Sequence, residues 1–194
     1  MMFRYELSGG SFLRLIEESD ADELFALVEA NRAYLERWLP WVEATRDPEP
    51  ILDFIRAGRK QFVDNNGFQA AIVDGAEIIG AIGFHAVDWR NRSTSIGYWL
   101  AEDRQGRGTM TEAVRALVNH AFDVWKLNRV EIRAAVGNVR SRAIPDRLGF
   151  KEEGILRDGE RIGERYEDSV VYSMLAKDWP SPRRFLGGIP TSSP

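Results

Sequence analysis

The sequence predicts a mixed α/β domain in which an antiparallel meander runs into a βαβ segment. Three observations carry that prediction. The runs Phe68 to Val73, Ile78 to His85 and Thr94 to Ala101 are rich in β-formers, and their links are shorter than the dozen or so residues a parallel crossover requires. Met110, Ala113, Val114, Leu117, Val118, Ala121, Phe122 and Trp125 then recur at i, i+3, i+4 and i+7, the stripe of an amphipathic helix. Behind it Val130, Ile132, Ala134 and Val136 alternate as a strand.

Taken in order, Phe12 to Glu17 alternates as a first strand, and Ser19-Asp20-Ala21-Asp22 resembles a capping box opening a helix. Leu24, Leu27, Val28, Leu35, Trp38 and Leu39 keep helical spacing until Pro40 breaks it. A second helix follows Pro48 or Pro50 and carries Ile51, Leu52, Phe54, Ile55 and Phe62. Asp74-Gly75 makes the first hairpin turn of the meander, and the polar loop Asp88 to Arg92 makes the second link. After the βα pair, a short helix from about Val139 ends at Gly149, and Phe150 opens the next strand. Pro145 would cost roughly 3 kcal/mol in a regular helix, so that helix is expected to start late or to have a distorted first turn. Val170, Tyr172 and Met174 fall on one side of a last strand. From Pro180 the chain is rich in proline, glycine and serine, which divides it into one domain over residues 1–179 and a mobile tail over 180–194.

Composition narrows the chemistry. A chain of 194 residues, 44% hydrophobic, can bury one good core. It has no cysteine, which excludes disulfides, thiolate nucleophiles and cysteine-ligated metal, and its two histidines leave little for any other metal site. No stretch approaches the ~20 apolar residues that cross a bilayer, and no basic-then-apolar leader opens the chain, so a soluble cytoplasmic protein without a membrane partner is expected. A formal net charge of −4, spread along the chain, argues against nucleic acid and suits a cationic substrate.

The most informative stretch is Glu102 to Glu112, between a strand and the strongest helix. Gly106 and Gly108 let the backbone turn sharply, and the helix start offers unpaired N–H groups and the positive end of a dipole: an anion site matched to phosphate or pyrophosphate. Thr109 with Glu112 has capping-box spacing, which starts the helix near Met110. The dinucleotide fingerprint fails because Thr111 stands where its third glycine belongs, and there is no Gly-x-x-x-x-Gly-Lys loop. A turn whose glycines serve geometry alone is the plain alternative.

Gln105-Gly106-Arg107-Gly108-Thr109 resembles the acetyl-coenzyme A pyrophosphate loop of the GNAT superfamily of N-acetyltransferases. Met110 departs from the small residue that commonly closes that loop, as in the branch of RimJ/RimL-type ribosomal-protein N-terminal acetyltransferases. Asn31 to Leu35 through Trp41, Ile96 to Leu100, and Asn138 to Phe150 resemble the same branch, so the likeness spans about residues 10–178. It implies a central, mostly antiparallel sheet of about seven strands, splayed between its fourth and fifth, with helices on its flanks. It implies acetyl-CoA as co-substrate and no metal. Trp99 and Leu100 would meet its pantetheine arm through main-chain atoms, Gln105, Gly106, Arg107, Gly108, Thr109 and Met110 would hold its pyrophosphate, and Asn138 would face the arm.

By the same resemblance Ser141 stands near the sulfur, as an acid for the leaving thiolate, and Glu160 is the carboxylate that receives the amine's proton through water. The plain readings are helix capping for Asn138 and Ser141, and a solvated loop charge for Glu160, one of three acids between Asp158 and Glu164. Ala134 stands where relatives often carry cysteine. His120, off its helix's apolar stripe, reads as a surface residue, whereas His85 at a strand end can line the acceptor cleft, beside which the resemblance also places Trp38 and Trp41. The resemblance implies a protein N-terminus of the ribosomal-protein serine or alanine type as acceptor, and such an α-amine, with pKa near 8, loses its proton far more easily than a lysine amine near 10.4. Small amines such as a peptide antibiotic, a polyamine or an aminoglycoside remain open, as do a non-catalytic CoA-binding module, a nicotinamide-dependent oxidoreductase and a homodimer.

Overall fold

The computed structural model describes residues 4–180. The chain enters through β1 (Arg4–Glu6) and β2 (Ser11–Leu15), then forms α1 (Ala21–Ala30), α2 (Arg32–Leu35) and α3 (Glu49–Val63). The meander is β3 (Gln69–Asp74), β4 (Glu77–Phe84) and β5 (Ser93–Leu100). There follow α4 (Thr109–Asn119), β6 (Arg129–Ala135), α5 (Val139–Leu148), β7 (Lys151–Ile162) and β8 (Arg165–Leu175). Eight strands form a sheet in the order β1-β2-β3-β4-β5-β6-β8-β7, and the three-residue β1 adds a strand beyond the seven or so expected.

Every neighbouring pair is antiparallel except β5 and β6. That parallel pair is short: Ser93, Thr94 and Ser95 meet Arg129, Val130 and Glu131, and beyond Ser95 the strands part. The splay leaves one edge of Ile96 to Leu100 unpaired while the other edge stays bonded to β4.

At β3 the sheet is buried on both faces, which explains the unbroken apolar run of that strand. Ala70 and Ile72 face a core built with Leu117, Ile132 and Tyr172, whereas Ala71 and Val73 face a second core built with Leu24, Val28 and Ile55. Such continuous runs are the mark of a strand covered on two sides. Ile132 is fully buried, and Ile132→Ala should destabilise the fold by about 3 kcal/mol in chemical denaturation.

Four local expectations are corrected. The helical run predicted to reach Pro40 breaks at Asn31 (φ −116°), whose side-chain Nδ2 donates to Leu27 O at 2.9 Å and whose Oδ1 accepts the Glu102 main-chain amide at 2.9 Å. The capping box at the first helix joins Glu17 and Asp20 rather than starting at Ser19. His120 is not a surface residue: the helix changes to a π-helical turn over His120–Val124, and the ring packs 4.8 Å from Trp125 and 5.4 Å from Phe68. Burial pushes its pKa down to about 4. Pro145 neither delays nor distorts the start of α5; it lies inside a helix running Val139–Leu148 and ending at Gly149, φ 77°. The tail beyond Pro180 lies outside the described residues.

Candidate active site

Two cavities meet at the splay. The first, of about 700 Å³, runs from Tyr98 to Leu100 of β5, past the 105–110 turn, to the start of α5. The second, of about 770 Å³, lies on the other side of the same opening, between the Trp38 to Thr45 segment, β4, β5 and β6. Tyr98, Trp99, Asn138 and Ser141 line both.

The first cavity is built for an anion at one end. Gly106 and Gly108 have φ of 78° and 84°, where side chains are strained, and nothing lies within 4 Å of the place either Cβ would take. The capping-box expectation is corrected here: the N-cap of α4 is Gly108, without a side-chain cap, and Thr109 is the first helical residue. Glu112 instead accepts the Ser8 amide at 2.7 Å and the Ser8 hydroxyl. Because the first main-chain bond of α4 runs from the Glu112 amide to Gly108 O, the amides of Thr109, Met110 and Thr111 precede the ladder, and those three residues line the groove. Arg107, Arg140 and Arg147 add positive charge to its walls. Gln105 is tied back, its Nε2 donating to Leu100 O at 3.3 Å and its Oε1 accepting Arg140 at 3.0 Å, so it braces the turn. All nine residues expected at a cofactor site, Trp99, Leu100, Gln105 to Met110 and Asn138, together with Ser141, line this one groove.

At the junction the start of α5 is fixed by three contacts. Asn138 is its N-cap, with Oδ1 accepting the Ser141 amide at 3.2 Å. Arg142 reaches Val136 O and the Tyr172 hydroxyl. The third contact follows from Pro145, which has no N–H for the carbonyl four residues back, that of Ser141. That carbonyl accepts the Tyr98 hydroxyl across the splay at 3.1 Å, and the Ser141 hydroxyl lies 3.4 Å from the same phenol. Burial pushes the Tyr98 pKa up to about 12, so it stays a phenol through the physiological range. Sequence reading missed Tyr98 as a site residue, although Pro145 was a signal that the Ser141 carbonyl needs a partner from outside its helix.

The second cavity is mostly aromatic and aliphatic. Trp41 and Trp99 stand 6.0 Å apart by ring centroid, and Trp38 and Phe54 add to the wall. Its charged groups are Arg133 and Glu160, and it also holds His85. Glu160 is not in a loop: it lies in β7, paired with Glu167 of β8, with its side chain exposed. The β7–β8 hairpin carries it to the wall and is held there by Arg165, which donates to Arg37 O at 2.5 Å. Among the described residues no helix is long and apolar enough to cross a membrane, and no His/Cys/Asp/Glu cluster could hold a metal ion.

Comparison with known proteins agrees with this geometry. Residues 12–151 match the model of the acetyltransferase (GNAT) domain. YdaF of Bacillus subtilis, whose ribosomal N-acetyltransferase activity is itself an assignment, is 38% identical over 92% of this chain and 98% of its own. The ribosomal-protein-serine acetyltransferase of Escherichia coli is 28% identical over 84% of this chain and 91% of its own. Among solved structures, RimL, a ribosomal alpha-N-protein acetyltransferase in complex with coenzyme A, superposes with a TM-score of 0.85 at 27% identity, covering 89% of this chain and 98% of that one. A microcin self-immunity acetyltransferase in complex with acetyl-CoA and AMP gives 0.82 at 26% identity, covering 87% and 93%. An uncapped glycine turn at a helix start, opening onto a splayed sheet, is thus the architecture of a known fold, and the chain belongs to the GNAT acetyltransferase family.

Proposed function

We propose that this N-acetyltransferase takes its acetyl group from acetyl-CoA and delivers it to the N-terminal α-amine of a protein or peptide. The observation that carries the donor is the helix start at Gly108: three amides without a cap, two glycines with no atom in the way and three arginines around them fit a pyrophosphate. The free edge of Ile96 to Leu100 fits an amide-bearing arm, which can pair with it as a strand would. Held there, acetyl-CoA supplies a thioester carbonyl at the junction of the two cavities.

The residues at that junction then have separable tasks. Ser141 holds a hydroxyl proton on the wall common to both cavities, where a leaving sulfur can take it. Tyr98 and Asn138 fix the backbone on which Ser141 rides. Glu160 places a negative charge on the acceptor side, where it draws an ammonium group in. For the acceptor, the balance of charge supports a singly charged amine. One carboxylate against one guanidinium, within aromatic walls, offers no acidic sink for a polyamine or an aminoglycoside. A single amine on a less polar body fits, and the alpha-N-protein acetyltransferase activity named for RimL supports an α-amine.

The test is thermal unfolding with acetyl-CoA, with NAD and ATP as controls. At a hundredfold excess over Kd a native-state ligand adds about 2.7 kcal/mol, which raises Tm by roughly 5–10 °C for a chain of this size. A rise with acetyl-CoA alone is expected; no rise, or a rise with NAD, would remove the donor assignment.

A further inference from the structure

Of the ionisable groups facing the acceptor cavity, His85 is the one whose ordinary pKa lies near neutrality. It follows β4 directly, and its Nδ1 lies 2.8 Å from the Ser95 hydroxyl of β5. Ser95 is the last β5 residue paired with β6, so the imidazole is pinned where the sheet opens. Its Nε2 lies beside Gly97, another wall residue, and a Cβ there would stand 3.0 Å from both Cε1 and Nε2. Glycine at 97 therefore leaves the ring its place. The residue is only partly covered, so the cavity can reach it.

We propose that Nε2 of His85 is the proton acceptor for the attacking amine, a role that rests on the acetyltransferase reading above. It requires the tautomer in which Nδ1–H donates to Ser95 Oγ, leaving the Nε2 lone pair on the cavity side. The acceptor enters as an ammonium group, so its nitrogen first gives one proton to Nε2 and keeps the N–H electron pair as a lone pair. As that lone pair bonds to the thioester carbonyl carbon, the carbon–sulfur bond breaks with its electron pair on sulfur; sulfur takes the Ser141 hydroxyl proton, and the second proton that the nitrogen sheds returns to Ser141 Oγ. The groups facing the ring suit this. The surrounding protein atoms and Arg133 of β6 lower the pKa of His85, which keeps it neutral and able to accept at pH 7. Glu160 of β7 acts in the opposite sense and steadies the imidazolium once the proton arrives. In this scheme Glu160 works through space and His85 takes the proton.

The experiment compares wild type with His85→Asn, which keeps a polar atom for Ser95, using a hexapeptide with a free N-terminal serine and following thiol release from pH 6 to pH 9.5. Acetyl-CoA affinity by calorimetry should stay within about twofold, while kcat at pH 7 falls about a hundredfold. The gap should narrow above about pH 8.5, because an amine with pKa near 8 then sheds its own proton. A purely structural role would depress kcat evenly across pH. If the hexapeptide is not acetylated, the same comparison is made on acetyl-CoA hydrolysis, in which water replaces the amine; the about hundredfold loss is then expected at every pH, because water does not shed a proton unaided in this range. Turnover of His85→Asn within twofold of wild type in either assay, or peptide acetylation evenly reduced at every pH, would overturn the proposal and leave the acetyltransferase reading intact. A wild-type protein that fails to bind acetyl-CoA would overturn both.

Discussion

Gly108→Trp should abolish acetyl-CoA binding, weakening it by at least about a hundredfold, while the protein remains folded. Gly108 is the N-cap of α4, its φ is 84°, and no atom stands within 4 Å of where its Cβ would be. An indole there projects into the open space in front of the Thr109, Met110 and Thr111 amides, where the pyrophosphate is proposed to sit. A side chain at that φ also costs roughly 1–2 kcal/mol, a Tm loss of about 2–8 °C. Gly108→Ala separates the two effects, because it carries the same backbone strain without the bulk. Calorimetry should show near wild-type affinity for the alanine variant and none for the tryptophan variant. If Gly108→Trp binds acetyl-CoA as wild type does, the phosphate cradle is elsewhere.

How much of this was legible beforehand depends on whether a residue's role is local. The stripe from Met110 to Phe122 and the alternation of Val130, Ile132 and Ala134 encode burial directly, and those side chains are buried. The turn around Gly106 and Gly108 was legible because positive φ calls for glycine over a short span. Roles set by distant partners were not. Glu112 has capping-box spacing from Thr109, but the partner it takes is Ser8, 104 residues away in the chain. Asn31 reads as one more helix residue until the turn after β5 brings the Glu102 amide to it. His120 fell off the apolar stripe because that stripe assumes an α-helical period, and the π-helical turn turns the ring inward. Glu160 was expected in a loop because the chain before it, with Gly154 (φ 149°) and Asp158 (φ 50°), lacks a clean strand pattern; register shifts in β7 absorb both.

The pairing of Tyr98 with Ser141 belongs to that non-local class, and it leads to a prediction in which two substitutions should not multiply. Ser141→Ala should lower kcat about a hundredfold and leave acetyl-CoA affinity unchanged, since it removes a proton donor at the shared wall but no main-chain contact. Tyr98→Phe removes the hydroxyl that the Ser141 carbonyl accepts, and Pro145 offers no N–H in its place. The orphaned carbonyl should destabilise the protein by about 1–2 kcal/mol and loosen the first turn of α5. If Tyr98 acts by positioning Ser141, it lowers kcat only while the serine hydroxyl is present, so Tyr98→Phe should cost little when added to Ser141→Ala. If the two losses multiply in the double variant, Tyr98 acts on the reaction by itself. The pH profile gives an independent check, because a phenol with its pKa near 12 contributes no titration below about pH 10, and any limb lost with Tyr98→Phe in the neutral range would contradict a positioning role.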